Sequence, residues 1–177
     1  MMRLFVALDL PDQQRQSLAA LCCGIPGMKW VSPDSLHLTL RFIGEVDEAM
    51  AEEIDLDLSH IKADPLDLTI RGLGSFGSKR PDHLWAGLEP NPALHHLAAR
   101  IESTLQRLGL PAEPRRYTPH ITLGRSRLCQ PDHVHRFMLH HEPLALPTFQ
   151  STEFHLFQSH LGRNGPQYQR LCSYNLT

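Results

Sequence analysis

Two tetrapeptides, His37-Leu38-Thr39-Leu40 and His120-Ile121-Thr122-Leu123, repeat one pattern in the two halves of the chain. In a β-strand, residues i and i+2 project from one face and i+1 and i+3 from the other. His37 therefore shares a face with Thr39, backed by Leu38 and Leu40, and His120 shares one with Thr122, backed by Ile121 and Leu123. An imidazole titrates near neutrality, so two facing rings form an acid/base couple. One takes a proton from a nucleophile and the other gives one to a leaving oxygen. The threonine hydroxyls are donors for non-bridging oxygens, which suits a phosphoryl group gaining charge during displacement. This chemistry requires no metal. A single such strand is ordinary, because a half-buried strand exposes assorted polar side chains. At this chain's residue frequencies only about 0.1 copies are expected by chance, so the pair carries weight.

Arginines flank both motifs. Arg41 follows His37 by four positions and has the parity to share its face, while Arg115 and Arg116 precede the second motif and Arg125 follows it. A guanidinium matches phosphate oxygens as a planar bidentate donor, although Arg41, Arg115 and Arg116 read equally well as solvated surface charge. Strict alternation puts Arg125 on the face opposite His120, unless a bulge at Gly124 re-aims it.

The elements that must hold these groups follow from periodicity. Period-two patterns or short apolar runs predict strands near 3 to 9, 36 to 43, 66 to 73, 83 to 89, 119 to 125, 150 to 159 and 167 to 176. Helices are predicted after Pro11, from an Asp47 cap, and from an Asn91-Pro92 start to a Gly109 stop, with a weaker one after Pro131. Hairpins mixed with helical crossovers favour an α+β fold over a doubly wound sheet. Asn164-Gly165 predicts the turn of the last hairpin, with Pro166 at a sheet edge. Nothing divides the chain, so residues 1–177 are expected to form one domain. The repeated motif hints that it has two related lobes.

Composition sets limits. At 177 residues, 41% of them hydrophobic, the chain can bury one sizeable core. Its 17 Lys and Arg against 19 Asp and Glu give a net charge of −2, so phosphate binding must be local rather than steered by the whole-molecule field. No apolar run is long enough for a membrane span, and the early apolar stretch is interrupted by Asp9 and Pro11, so a soluble cytoplasmic protein is expected. Cys22, Cys23, Cys129 and Cys172 lack C-x-x-C spacing and read as reduced, packed thiols. The histidines between His133 and His141 offer a metal-dependent alternative, but they lack the companion cysteine or carboxylate of familiar metal motifs.

Taken together, RLFVALDLP at the start, WVSPDSLHLTLRFIGEV and YTPHITLGR around the motifs, and Ser159, Leu161, Gly165 and Tyr168 near the end resemble the two-histidine phosphoesterases. The likeness is to the RNA 2',3'-cyclic phosphodiesterases, also called 2'-5' RNA ligases. It spans nearly the whole chain. It implies a bilobal, pseudo-twofold α+β fold in which antiparallel sheets line a central groove. It further implies hydrolysis of RNA 2',3'-cyclic phosphate ends to 2'-phosphates by a monomer without a cofactor, with ATP-independent 2'-5' ligation as a related activity. Carried over by position, His37 would be the proton donor to the departing 3' oxygen and His120 the proton acceptor from water. Thr39 and Thr122 would hold the phosphate, Arg125 matches a basic position after the second motif, and Phe42 an aromatic position suited to base stacking. Phe42 also shares the parity of Leu38 and Leu40, which suits core packing. Relatives differ in substrate: cyclic nucleotides, ADP-ribose cyclic phosphates, 2'-5' oligoadenylates or RNA ends. A non-catalytic nucleotide-binding module is the alternative from outside enzymology.

Overall fold

Strand β1 (Met2–Leu8) is buried on both faces from Leu4 onward, the mark of a strand inside a sheet rather than at its edge. A computed structural model, which describes residues 1–77, 81–126 and 128–177, places it accordingly. The elements that follow are α1 (Asp12–Leu21), β2 (Lys29–Trp30), a 3-10 turn (Pro33–Ser35), β3 (Leu38–Val46), α2 (Glu48–Leu58), β4 (Leu66–Leu68), β5 (Ile70–Phe76) and β6 (His83–Leu88). After these come α3 (Pro92–Arg107), β7 (His120–Arg125), α4 (Pro131–His140), β8 (Phe149–Ser151), β9 (Glu153–Gly162) and β10 (Gly165–Asn175). One sheet runs β10-β9-β1-β3, a second β2-β7-β6-β5, and β4 and β8 form a two-stranded ribbon. The pairings are antiparallel throughout, as the α+β reading expects.

Helix ends obey the side chains read from sequence. Asp47 accepts from the Met50 amide at 2.8 Å and Asn91 from the Leu94 amide at 3.1 Å. Each cap is worth about 1 kcal/mol. Gly109 terminates α3 at φ 92°, a conformation that strains any L side chain. The last hairpin turns one residue earlier than predicted: Gly162 pairs with Gly165, and the turn runs through Arg163 and Asn164. Gly165 takes the positive φ, 111°, as the first residue of β10, so the glycine closes the turn instead of standing at its centre. Pro166 then sits on the edge strand, where its missing N–H costs no ladder bond.

Two predicted strands are broken. Residues 66 to 73 divide at Thr69 and 150 to 159 at Thr152, because β4 and β8 pair with each other while β5 and β9 join different sheets. The Thr69 and Thr148 hydroxyls bond at 2.6 Å beside this switch of partners. Strand β2, too short for periodicity to register, was not anticipated.

A continuous core runs beneath both sheets. Leu4, Val6, Leu8, Leu38 and Leu40 from the first meet Ile70, Ala86, Ile121 and Leu123 from the second, with Ile54 and Leu58 of α2 and Leu97, Ile101 and Leu105 of α3. Each fully buried aliphatic side chain contributes about 1.5–3 kcal/mol. The two motif strands are thus fixed from behind by Leu38, Leu40, Ile121 and Leu123, all 3% exposed or less.

Three strands of each sheet correspond, β3 matching β7, β1 matching β6 and β9 matching β5, while β10 and β2 extend the two sheets at opposite ends. Leu8, Ala7, Val6 and Phe5 lie opposite Leu38, Thr39, Arg41 and Phe42; Ala86, Trp85, Leu84 and His83 lie opposite Ile121, Thr122, Gly124 and Arg125.

Candidate active site

Each motif strand skips a residue in its pairing at the same place, and β3 skips a second, Ile43, farther along. β3 shifts register between the partners of Val6 and Ala7, leaving Leu40 as the extra residue, and β7 shifts between the partners of Leu84 and Trp85, leaving Leu123. The bulge falls at the last position of both tetrapeptides. It reverses the parity beyond it. Arg41 accordingly lies opposite the buried Val6 and turns to the helix side, whereas Phe42 lies opposite Phe5, whose ring packs against His37. On β7, Arg125 lies opposite His83 and joins the Thr122 face. The re-aiming that Arg125 needed is real, but the extra residue is Leu123 and not Gly124.

Parity therefore misplaced Arg41. Its guanidinium pairs with Glu102 of α3 and donates to the Phe42 carbonyl and, at 2.7 Å, to the Pro111 carbonyl. Burial opposes ionisation of Glu102, yet bonds from Arg41, Gln106 and the Glu113 amide hold its carboxyl down at about 2. Arg41 is a structural clamp between β3 and α3. Phe42, by contrast, is not packed in the core as its sequence parity allowed: it is 44% exposed, with the Arg3 guanidinium 5.2 Å from its ring centre. Arg115 and Arg116 stand in exposed coil ahead of β7.

The two histidines are seated alike. His37 Nδ1 donates to the Ser35 carbonyl and His120 Nδ1 to the Thr118 carbonyl, each at 2.7 Å and each two residues upstream. A carbonyl only accepts, so Nδ1 carries the proton and Nε2 is the reactive nitrogen in the neutral ring. His37 Nε2 lies 2.9 Å from the Thr39 hydroxyl. Phe5 at 5.0 Å and Tyr168 at 5.1 Å enclose the His37 ring, and Phe157 stacks on Phe5 at 5.2 Å. Burial among these rings lowers the His37 pKa below its usual 6.5; the Ser35 carbonyl and Asp9 oppose the shift, and Arg15 and Arg125 add to it. A cleft of about 450 Å³ opens beside His37, lined by Asp9, Arg15, Asp34, Phe157, Tyr168 and Arg170 among others.

The second half holds a residue that motif reading missed. His83 Nε2 lies 2.8 Å from the Thr122 hydroxyl, and its ring stands 5.7 Å from that of His120. Burial first, then Arg125 and His120, depress its pKa to about 4. Phe76 at 5.1 Å and Trp85 at 5.9 Å complete the surround of His120. A signal was present: His83 and Trp85 alternate with the buried Leu84 and Ala86, the same i, i+2 pattern as the motifs. Phe5 and Phe157 carried no comparable mark, and Tyr168 stood out only as part of the resemblance.

β3 and β7 run beside each other with Cα atoms within 8 Å. The Tyr117 hydroxyl donates to the Thr39 carbonyl at 2.9 Å, tying the approach to β7 to the other sheet, while the Val31 amide, donating to the Leu123 carbonyl at 2.8 Å, continues the pairing of β2 with β7. Arg125 of β7 acts electrostatically on His37 and Tyr168 of the other sheet as well as on His83. His133 to His141 lie elsewhere. Their helix, α4, packs through Val134 and Phe137 against Leu84, on the face of β6 away from His83. Among the described residues no cluster of three His, Cys, Asp or Glu side chains is arranged to hold a metal ion. No helix of the described residues is long and apolar enough to cross a membrane.

A family model described as LigT like Phosphoesterase matches this chain over residues 8–85 and 87–168. Curated relatives include the RNA 2',3'-cyclic phosphodiesterase of Archaeoglobus fulgidus, 31% identical over 96% of this chain and 98% of its own. That of Thermotoga maritima is 30% identical over 96% and 93%. Among solved structures, a Thermus thermophilus protein superposes with a TM-score of 0.83 at 28% identity, and E. coli LigT complexed with 3'-AMP with 0.81 at 29%, each over 99% of this chain and 98% of the other.

Proposed function

Since the chain belongs to the LigT-like phosphoesterase family, we propose that it opens RNA 2',3'-cyclic phosphate ends by hydrolysis to 2'-phosphates. The observation that carries this reading is the pair of bulged His-x-Thr-x strands set side by side, each histidine anchored through Nδ1 so that Nε2 is the reacting nitrogen.

In the reaction, water attacks phosphorus and gives a proton to His120 Nε2. The bond from phosphorus to the 3' oxygen breaks, and that oxygen takes a proton from His37 Nε2. The product carries a 2'-phosphate and a free 3'-hydroxyl; His37 ends neutral and His120 charged, and exchange with solvent restores both. Thr39, Thr122 and Arg125 hold the non-bridging oxygens, whose charge grows as water adds. A lowered His37 pKa leaves the resting ring short of the proton it must give. The bound phosphate anion raises that pKa again, because an opposite charge favours the charged form, so substrate binding arms the acid. Phe42, exposed beside Arg3, offers a face for the terminal base. A 5'-hydroxyl in place of water would yield a 2'-5' linkage by the same steps, with no nucleotide triphosphate and no metal called for.

Residues 1–177 act in this reading as one bilobal domain, a cytoplasmic monomer. The continuous core under both sheets and the free cysteines 22, 23, 129 and 172 support it.

The test is incubation with a short RNA ending in a 2',3'-cyclic phosphate. A 2'-phosphate product, formed equally well with chelator present, is expected. A 3'-phosphate product would reverse the assigned leaving group, and binding without opening across a wide pH range would make the chain a nucleotide-binding module.

A further inference from the structure

His83 has no role in the acid/base couple, yet it is bonded to one of the two proposed phosphate-holding hydroxyls. Thr122 has a single O–H proton. If His83 Nε2 were bare, that proton would be spent on His83 and Thr122 would face a phosphate with lone pairs only, repelling it. If Nε2 carries the proton, it donates to Thr122 Oγ1 at 2.8 Å, and the threonine proton is left to point into the groove. Resting Thr39 is in the opposite condition: because His37 Nδ1 is committed to Ser35, neutral His37 Nε2 accepts from Thr39 and holds its proton until substrate arrives.

We propose that His83 is a positioning residue, an Nε2-protonated imidazole that donates to Thr122 and thereby presets the Thr122 hydroxyl as a phosphate donor. The surroundings suit the part. Arg125 lies directly opposite on β7, and Phe76 packs at 5.3 Å against the His83 ring, fixing its plane. Burial first, and Arg125 after it, keep the ring uncharged near neutrality, so it carries only one proton to place. A preset donor needs no reorganisation when charge develops on the phosphate, and this is where such donors act most strongly.

The proposal rests on the phosphodiesterase reading, but it can be decided separately. In the free protein, nitrogen-15 NMR of the His83 ring near pH 7 is expected to report a protonated Nε2 and a bare Nδ1. The reverse tautomer would overturn the proposal whatever the substrate. On a 2',3'-cyclic phosphate RNA, His83→Leu is expected to lower kcat by about 10-fold to 100-fold with little change in KM, while His83→Gln, whose amide N–H can still donate, stays within about 3-fold of the parent. In a Thr122→Val background the His83→Leu loss should vanish, since the hydroxyl it positions is gone. An undiminished loss in that background, or glutamine performing no better than leucine, would mean that His83 acts otherwise. If the unaltered protein opened no cyclic phosphate, the functional reading would fail while the tautomer measurement would still judge His83.

Discussion

The two halves of the groove are built on one plan and finished differently. Both histidines are pinned by a carbonyl two residues upstream, both strands bulge at the fourth motif position, and both present the side chain at motif residue plus five to the groove face. The finishing is where they part. Around His37 the neighbours are Phe5 and Tyr168, and Thr39 is bonded to the histidine itself. Around His120 they are Phe76, Trp85 and His83, and Thr122 is bonded to His83 instead. Arg125 occupies the place that Phe42 holds in the other half. A shared scaffold carries both halves, and the departures from symmetry set them apart: a buried aromatic side whose histidine has a lowered pKa, and a side where Arg125 and His83 flank the threonine.

The sharpest break of this comparison is removal of either imidazole. His37→Ala and His120→Ala are each expected to lower kcat on a cyclic phosphate RNA by about 10²-fold to 10⁴-fold. Because the two act as a unit, the double variant should be only slightly worse than either single one. Losses that simply multiply would mean the halves work independently.

The pair at plus five comes next. Arg125→Ala is expected to cost about 10-fold to 100-fold in kcat/KM, carried by every substrate that bears the phosphate. Phe42→Ala should instead change discrimination between terminal bases, by about 3-fold to 10-fold. An equal, base-independent loss at both would show that the asymmetry has no consequence.

Trp85 against Ala7 is a third contrast. Gly74 lies under the Trp85 ring, and a Cβ built on it would come within 2.2 Å of that ring. Gly74→Ala is expected to destabilise by about 1–3 kcal/mol in urea unfolding and to disturb His120 more than His37 in NMR spectra.

Acid should also separate the halves. His83, His37 and His155 all have pKa values lowered mainly by burial, so the unfolded chain binds protons that the folded one refuses. Their contribution is complete above about pH 6.5 and is lost as the pH falls, for His83 towards about 4. Solvent screening limits the His83 part to about 1–2 kcal/mol. The urea midpoint should therefore drop between pH 7 and pH 5. Inorganic phosphate should do the reverse, binding more tightly as the pH falls toward the His37 pKa, because it raises that pKa; calorimetry in buffers of different ionisation enthalpy would read the proton uptake.

The smallest functional effect belongs to Arg41. Arg41→Met should leave kcat/KM within about 3-fold of the parent while lowering stability by about 1–3 kcal/mol, since Glu102 is left with fewer partners.

Local rules carried much of this molecule into the sequence itself. Alternation at 37 to 40 and 120 to 123 put the right side chains on one face because strand periodicity needs no tertiary information. The Asp47 and Asn91 caps and the Gly109 stop were legible for the same reason, each being a bond or a backbone angle between near neighbours. Parity failed at Arg41, and left both Phe42 and Arg125 in question, at the bulges. A bulge is a mismatch between two strands, and its position depends on the partner's register as much as on the bulged strand. The breaks at Thr69 and Thr152 were hidden likewise, since only the pairing of β4 with β8 makes them ends.

The sequence alone thus determined the candidate reacting groups, the faces they share, and the apolar backing that holds them. Only the tertiary structure decided that Arg41 clamps α3 while Phe42 and Arg125 reach the groove face. It also brought His83 to Thr122 and set Arg125 where its charge is felt at His37. Those relations join residues far apart in the chain through cross-strand register and packing, and no short pattern encodes them.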